Sequence, residues 1–142
     1  MPGAVLRGKW RLDALIGRGG AASVFAATHR NGSRGAVKVL HPHFAGQPTM
    51  VSRFTREGQL ANRVGHPGVV RVLDDDTTED GLVFLVMELL EGRTAKALWL
   101  DWNRLMPMAH ALDMAERVLE ILVAAHARGV THRDVKPDNV FL

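Results

Sequence analysis

WRLDALIGRGGAASVF, residues 10 to 25, is the stretch on which the fold turns. Trp10, Leu12, Ala14 and Ile16 alternate with polar or small residues, the period of a half-buried strand, and Val24 and Phe25 restart an apolar run after a cluster of glycines. The spacing predicts two strands joined as a hairpin with a glycine-rich tip. From Gly17 to Val24 that tip follows the pattern G-x-G-x-x-A-x-V. Glycines at a tip let backbone N–H groups approach phosphate oxygens without side-chain obstruction. A purely steric need for glycine in a tight turn would account for the same letters. A Rossmann nucleotide loop is disfavoured, because that motif opens a helix and this one opens a strand.

Outward from the hairpin, Asn31-Gly32 is a second turn signal leading into Gly35-Ala36-Val37-Lys38-Val39-Leu40, a third strand expected antiparallel to the second. His41-Pro42-His43 breaks that strand; both histidines read as turn residues rather than metal ligands, since no cysteine or third histidine lies near. From Thr49 to Val64, Phe54, Gly58 and Ala61 recur at helical spacing with Glu57 and Leu60 close to the same face, which predicts a helix that Gly58 weakens. His66-Pro67-Gly68 ends it, Val69 to Leu73 reads as a strand, residues 74 to 81 (DDDTTEDG) as a turn, and Leu82 to Leu89 as a fifth strand. Five strands and one helix make a first lobe over residues 1 to 92. Beyond Glu91-Gly92 the patterning turns helical. Met108, Leu112, Ala115, Leu119, Leu122 and His126 form one stripe of a long helix that opens near Pro107, stops at Gly129 and expects a partner.

The composition, 46% hydrophobic and 23% charged over 142 residues, is that of a globular chain. A net charge of +3 is carried by scattered Lys and Arg seldom interleaved with aromatics, so a nucleic-acid partner is not expected. The chain has no cysteine, which excludes disulfides and thiolate metal sites. The longest apolar run, Leu82 to Met87, is far short of a bilayer span, and MPGAVLRGKW has no apolar signal core. A soluble cytoplasmic protein without a membrane segment is the expectation.

Two further clusters carry chemistry. Lys38 lies inside an apolar strand, where an ammonium is costly to bury unless it is paired or reaches a ligand; an edge-strand lysine pointing into water is the plainer alternative. Glu57, on the inward side of the predicted helix, would supply the pairing carboxylate. Residues 132 to 139 read His132-Arg133-Asp134-Val135-Lys136-Pro137-Asp138-Asn139. Asp134 could accept a proton from a hydroxyl nucleophile, Lys136 could neutralise a phosphoryl group in transfer, and Asn139 could bind a divalent cation through its amide oxygen.

In this order, the glycine-rich hairpin, Ala36-Val37-Lys38, a helical glutamate and the H-R-D-V-K-P-D-N run resemble a protein kinase domain. Lys136, two residues after Asp134, resembles serine/threonine rather than tyrosine kinases, and IGRGGAASVF (16 to 25), HPGVVRVLD (66 to 74) and FLVMELLEG (84 to 92) are similar to the eukaryotic-like kinases of bacteria. The resemblance implies an α+β fold, a kinase small lobe with a five-stranded antiparallel sheet and one helix, followed over residues 93 to 142 by an incomplete helical large lobe. It implies ATP and Mg2+ as cofactors and a protein Ser/Thr hydroxyl as acceptor. Ile16, Gly17, Gly19 and Val24 would cover the nucleotide, Ala36 would contact adenine, and Lys38, paired with Glu57, would hold phosphates. Met87 would stand as gatekeeper, and Glu88 to Leu90 would form the hinge. Asp134, Lys136 and Asn139 would be catalytic, with Asn139 the metal ligand.

The third glycine of the tip is replaced by Ala22, and Arg93 stands where relatives often carry an acidic residue. The family's D-F-G motif and later helices do not follow within these residues. The expectation is therefore a truncated domain, inactive alone, with residues 93 to 142 loosely packed, aggregation-prone or partner-dependent. The alternative is a non-catalytic nucleotide-binding or regulatory fragment.

Overall fold

The structure, a computed structural model, describes residues 1–131 and divides the chain into two compact units. The first comprises Met1–Asn62 and Val70–Leu89, the second Arg63–Val69 and Leu90 onward.

The first unit is built on β1 (Val5–Leu6), β2 (Trp10–Arg18), β3 (Ala22–His29), β4 (Arg34–Leu40), β5 (Val72–Thr77) and β6 (Val83–Met87), in the order β1-β2-β3-β4-β6-β5. Every neighbouring pair is antiparallel. Alternation along the central strands sends side chains to two faces, and each face has its own core. Leu12, Phe25, Ala27, Val37, Val39, Phe84 and Val86 pack on one, where Leu6 covers them. Ala22, Leu40, Val83 and Leu85 pack on the other against Phe54 of α2 (Pro48–Val64). Burial on both faces explains why β4 and β6 read as nearly unbroken apolar runs.

The sheet has six strands rather than the five expected from the alternation. The added strand, β1, is two residues long, too short to register a period, and it is held because Leu6 is buried in the first core. A four-residue helix, α1 (Pro42–Ala45), occupies the break after β4. The acidic stretch expected as a turn is the larger correction. Asp74, Asp75 and Asp76 belong to β5, pairing with Val86, Leu85 and Phe84, while the segment from Val69 to Arg71 is not strand. β5 lies at the outer end of the sheet, so its carboxylates can face water while the backbone completes the ladder. Three register shifts, at Asp13, Ile16 and Leu73, are bulges that twist β2 and β5.

Gly58 is explained by close approach. A Cβ there would lie 3.2 Å from both Leu85 methyls and 3.4 Å from Val72 Cγ1, so glycine lets α2 lie against the sheet. Asn62 fixes the same helix further along, donating from Nδ2 to the Val72 carbonyl (2.6 Å) and accepting the Val72 N–H at Oδ1 (2.8 Å).

The second unit contains α3 (Ala95–Asp101) and α4 (Met108–Ala127). Thr94 caps α3, its hydroxyl accepting the Ala97 N–H at 3.1 Å, and Arg93 pairs with Asp101 at the far end of the same helix. The Asp101 hydrogen bond holds the Arg93 guanidinium charged, with its pKa raised. On α4 the stripe singled out from the sequence is mostly exposed: Met108, Leu112 and Leu119 are 77%, 63% and 60% accessible. The turned-in side is a neighbouring stripe of Ala111, Met114, Val118, Ile121 and Ala125. α4 is apolar on more than one side, so periodicity alone did not choose between them. Gly68 explains why Arg63–Val69 belongs to this unit, since a Cβ there would lie 2.5 Å from Ile121 Cδ1.

Candidate functional site

Sheet register assembles most of the expected residues of the first unit on one face. Val24 of β3 is opposite Lys38 of β4, which is opposite Leu85 of β6; two residues along, Ala26, Ala36 and Met87 form a parallel row. Residues directly opposite in an antiparallel pair share a face, and so do residues two apart on one strand. Val24, Ala36, Lys38 and Met87 therefore lie on the face that α2 covers. Ala36 is buried and Met87 partly so, which gives that row an apolar floor.

α2 brings Glu57 to Lys38: Nζ donates to Oε1 at 2.8 Å. The lysine side chain is 24% exposed and its partner 65%, so solvent screens the pair. A pair of that kind is worth about 0–1 kcal/mol, too little to explain a lysine in the middle of a buried strand as a stabilising device. Its geometric effect is larger. The ammonium is fixed on the sheet face with two donors to spare.

The glycine-rich tip closes on itself, with the Gly19 N–H donating to the Ala22 carbonyl at 2.9 Å. Gly17, Gly19 and Gly20 all lack a left-handed φ, and a Cβ at Gly20 would meet nothing within 4 Å. At Gly19 it would meet only the Ala22 carbonyl, at the ordinary van der Waals distance of 3.5 Å. The protein's own packing therefore does not require glycine at Gly19 or Gly20, and the open space there suits the approach of an outside group to the backbone. Ile16, just before the tip, is at a bulge and exposed. Ala22, in place of a third glycine, is buried beside Leu40 and Phe54.

His41 reads as a turn residue in the sequence, yet it is tied to the glycine-rich tip. Its ring contacts Ser23 Oγ through Nε2 (3.0 Å) and the Gly20 carbonyl through Nδ1 (3.2 Å). The signal in the sequence is Ser23, a hydroxyl set between Ala22 and Val24 at the start of β3.

Of the expected hinge, Glu88 follows the end of β6 at Met87, and Leu90 begins the second segment of the second unit. The Glu88 N–H donates to the Arg71 carbonyl (3.0 Å), and its carboxylate accepts the Arg71 N–H (2.9 Å). Asp134, Lys136 and Asn139 lie outside the described residues. Among the described residues no group of three or more His, Cys, Asp or Glu gathers to hold a metal ion, and no helix is long and apolar enough to cross a membrane.

Antiparallel sheet, packed helix, lysine–glutamate pair and glycine-rich hairpin together define a kinase-type small lobe. The chain matches the protein kinase domain over residues 10–142 and belongs to that family. It is 41% identical over 138 residues to the serine/threonine-protein kinase Pkn1 of Myxococcus xanthus, covering 95% of this chain and 19% of that one. It is 39% identical to the serine/threonine-protein kinase PknA of Mycobacterium tuberculosis, covering 99% of this chain and 33% of PknA. The chain thus spans about a fifth to a third of the length of these curated relatives. Among solved structures it is similar to the PknI kinase domain of Mycobacterium tuberculosis, with a TM-score of 0.81 and 29% identity, over 99% of this chain and 56% of that one.

Proposed function

We propose that this chain carries the nucleotide-binding part of a cytoplasmic serine/threonine protein kinase, which takes ATP with Mg2+ and transfers its terminal phosphoryl group to a protein Ser/Thr hydroxyl. The observation that carries the reading is the 2.8 Å Lys38–Glu57 contact on the sheet face that also presents Val24, Ala36 and Met87. ATP fits these residues chemically: a fixed ammonium suits phosphate oxygens, an open glycine backbone offers N–H donors, and an apolar row suits a purine.

In this reading Lys38 orients two phosphates while Glu57 keeps its ammonium from swinging away. Gly17 and Gly19 let the tip close over the phosphates, and Ile16, Val24 and Ala36 cover the base from the sheet side. Beside Met87, the Glu88 carbonyl and Leu90 N–H would meet the adenine edge; the Glu88 N–H is already committed to Arg71. Asp134 would accept the hydroxyl proton of the acceptor, Lys136 would offset charge on the phosphoryl group, and Asn139 would hold Mg2+, which would supply positive charge to offset that of the phosphates. On this reading the small lobe would run through Gly92 and residues 93 to 142 would open the larger lobe.

The test is a magnesium-dependent ATP titration of the 142-residue chain by calorimetry. Saturable binding weakened at least tenfold by Lys38→Ala is expected. No binding, or binding indifferent to Lys38→Ala, would sink the reading.

A further inference from the structure

Ser23 is the one polar side chain that is buried among the described residues, at 9% exposure. A buried hydroxyl needs a partner, and here it is His41 Nε2. His41 makes two more contacts with the glycine-rich tip: Nδ1 with the Gly20 carbonyl at 3.2 Å, and its backbone N–H with the Ala21 carbonyl at 2.8 Å. A carbonyl only accepts, so Nδ1 carries the proton; in the neutral ring Nε2 then accepts from the Ser23 hydroxyl. Sheet register delivers this arrangement. Ala22 pairs with Leu40, so the residue after β4 comes to rest beside the start of β3.

Peptide geometry gives the contacts a consequence. No cis peptide is present among the described residues, and in a trans peptide the N–H points opposite to the C=O. Holding the Gly20 and Ala21 carbonyls therefore sets the directions of the Ala21 and Ala22 N–H groups. These amides belong to the half of the tip where a Cβ built on Gly20 would meet nothing within 4 Å, so no side chain packs there. A glycine-containing tip left loose would lose much conformational freedom on gripping an anion.

We propose that His41 is a positioning residue for the nucleotide phosphates, clamping the tip so that its amides are pre-aimed at anionic oxygens. This rests on the reading that the tip binds ATP, and it adds a residue that touches no substrate. The clamp acts on phosphate recognition and leaves the base-binding row alone.

The experiment compares ATP with adenosine, which lacks phosphates, on the 142-residue wild type and on His41→Ala, His41→Asn and His41→Gln. Asparagine keeps a donor at the Nδ1 position, whereas glutamine keeps only the reach toward Ser23. Loss of the side-chain bonds is expected to weaken ATP about five- to tenfold in His41→Ala, with adenosine unchanged, His41→Asn close to wild type and His41→Gln close to alanine. Should His41→Ala fail to fold, the asparagine and glutamine pair gives the same contrast. Unchanged ATP affinity, an equal loss for adenosine, or asparagine no better than glutamine each overturns the clamp. Wild type that binds no ATP overturns the proposed function, and the clamp with it. Binding that needs Lys38 but ignores His41 overturns the clamp alone.

Discussion

Replacing Gly58 with alanine sets two physical effects against each other. Within a helix the change gains about 1 kcal/mol from propensity. Against the sheet it places a Cβ 3.2 Å from both methyls of Leu85 and 3.4 Å from Val72 Cγ1, when carbon atoms rest comfortably at about 3.5–4.0 Å. Leu85 is 2% exposed and shares its cluster with Ala22, Leu40, Phe54 and Val83, so it has little room to retreat. Overpacking of this kind costs about 1–3 kcal/mol. The net expectation is a loss of about 0–2 kcal/mol, again taking overpacking against propensity. Urea unfolding of the 142-residue chain, with hydrogen exchange of the β6 amides, measures it. Leu85→Val provides the control: with that methylene removed, Gly58→Ala should recover its propensity gain, a coupling that a double-mutant cycle reads directly. A Gly58→Ala variant about 1 kcal/mol more stable in the wild-type background would refute the claim that close approach dictates this glycine. Because Leu85 cannot yield, the added methyl would push α2 outward and draw Glu57 from Lys38, so ATP affinity is expected to fall alongside stability.

Glu57→Gln keeps the size of the side chain but removes its charge, and should weaken ATP less than Lys38→Ala does, since the ammonium itself stays; isothermal titration ranks the two. Asn62→Ala removes both hydrogen bonds to Val72 and should cost about 1–3 kcal/mol, read as faster exchange at the start of β5. Asp13, at a β2 bulge, accepts from Thr28 Oγ1 (2.6 Å) and Arg11 Nε (2.9 Å). The Thr28 hydrogen bond first, and the Arg11 bond next, hold its carboxyl below the ordinary 3.8. A depressed folded pKa contributes stability above the unfolded value and loses it as pH falls through the folded one. Asp13→Asn should therefore flatten the acid side of the thermal stability profile below pH 3.8, and an unchanged profile would contradict the assignment.

The residue pattern alone determined the glycine-rich hairpin, the third strand, the helix over Thr49 to Val64 and the partnership of Lys38 with Glu57, because each is encoded in local periodicity or in a charge that an apolar strand does not tolerate unpaired. Tertiary packing decided the rest. The aspartates of β5 look like a turn until an outer-edge position lets them face water, and Gly58 looks like a weakness until the sheet comes within reach of its missing Cβ. α4 is apolar on more than one side, so which stripe turns inward was settled by its neighbours, not its sequence. His41 has no local signal beyond a strand break. Its three contacts with the tip exist because antiparallel register brings together residues about twenty positions apart in the chain, a relation that no window of neighbouring residues contains.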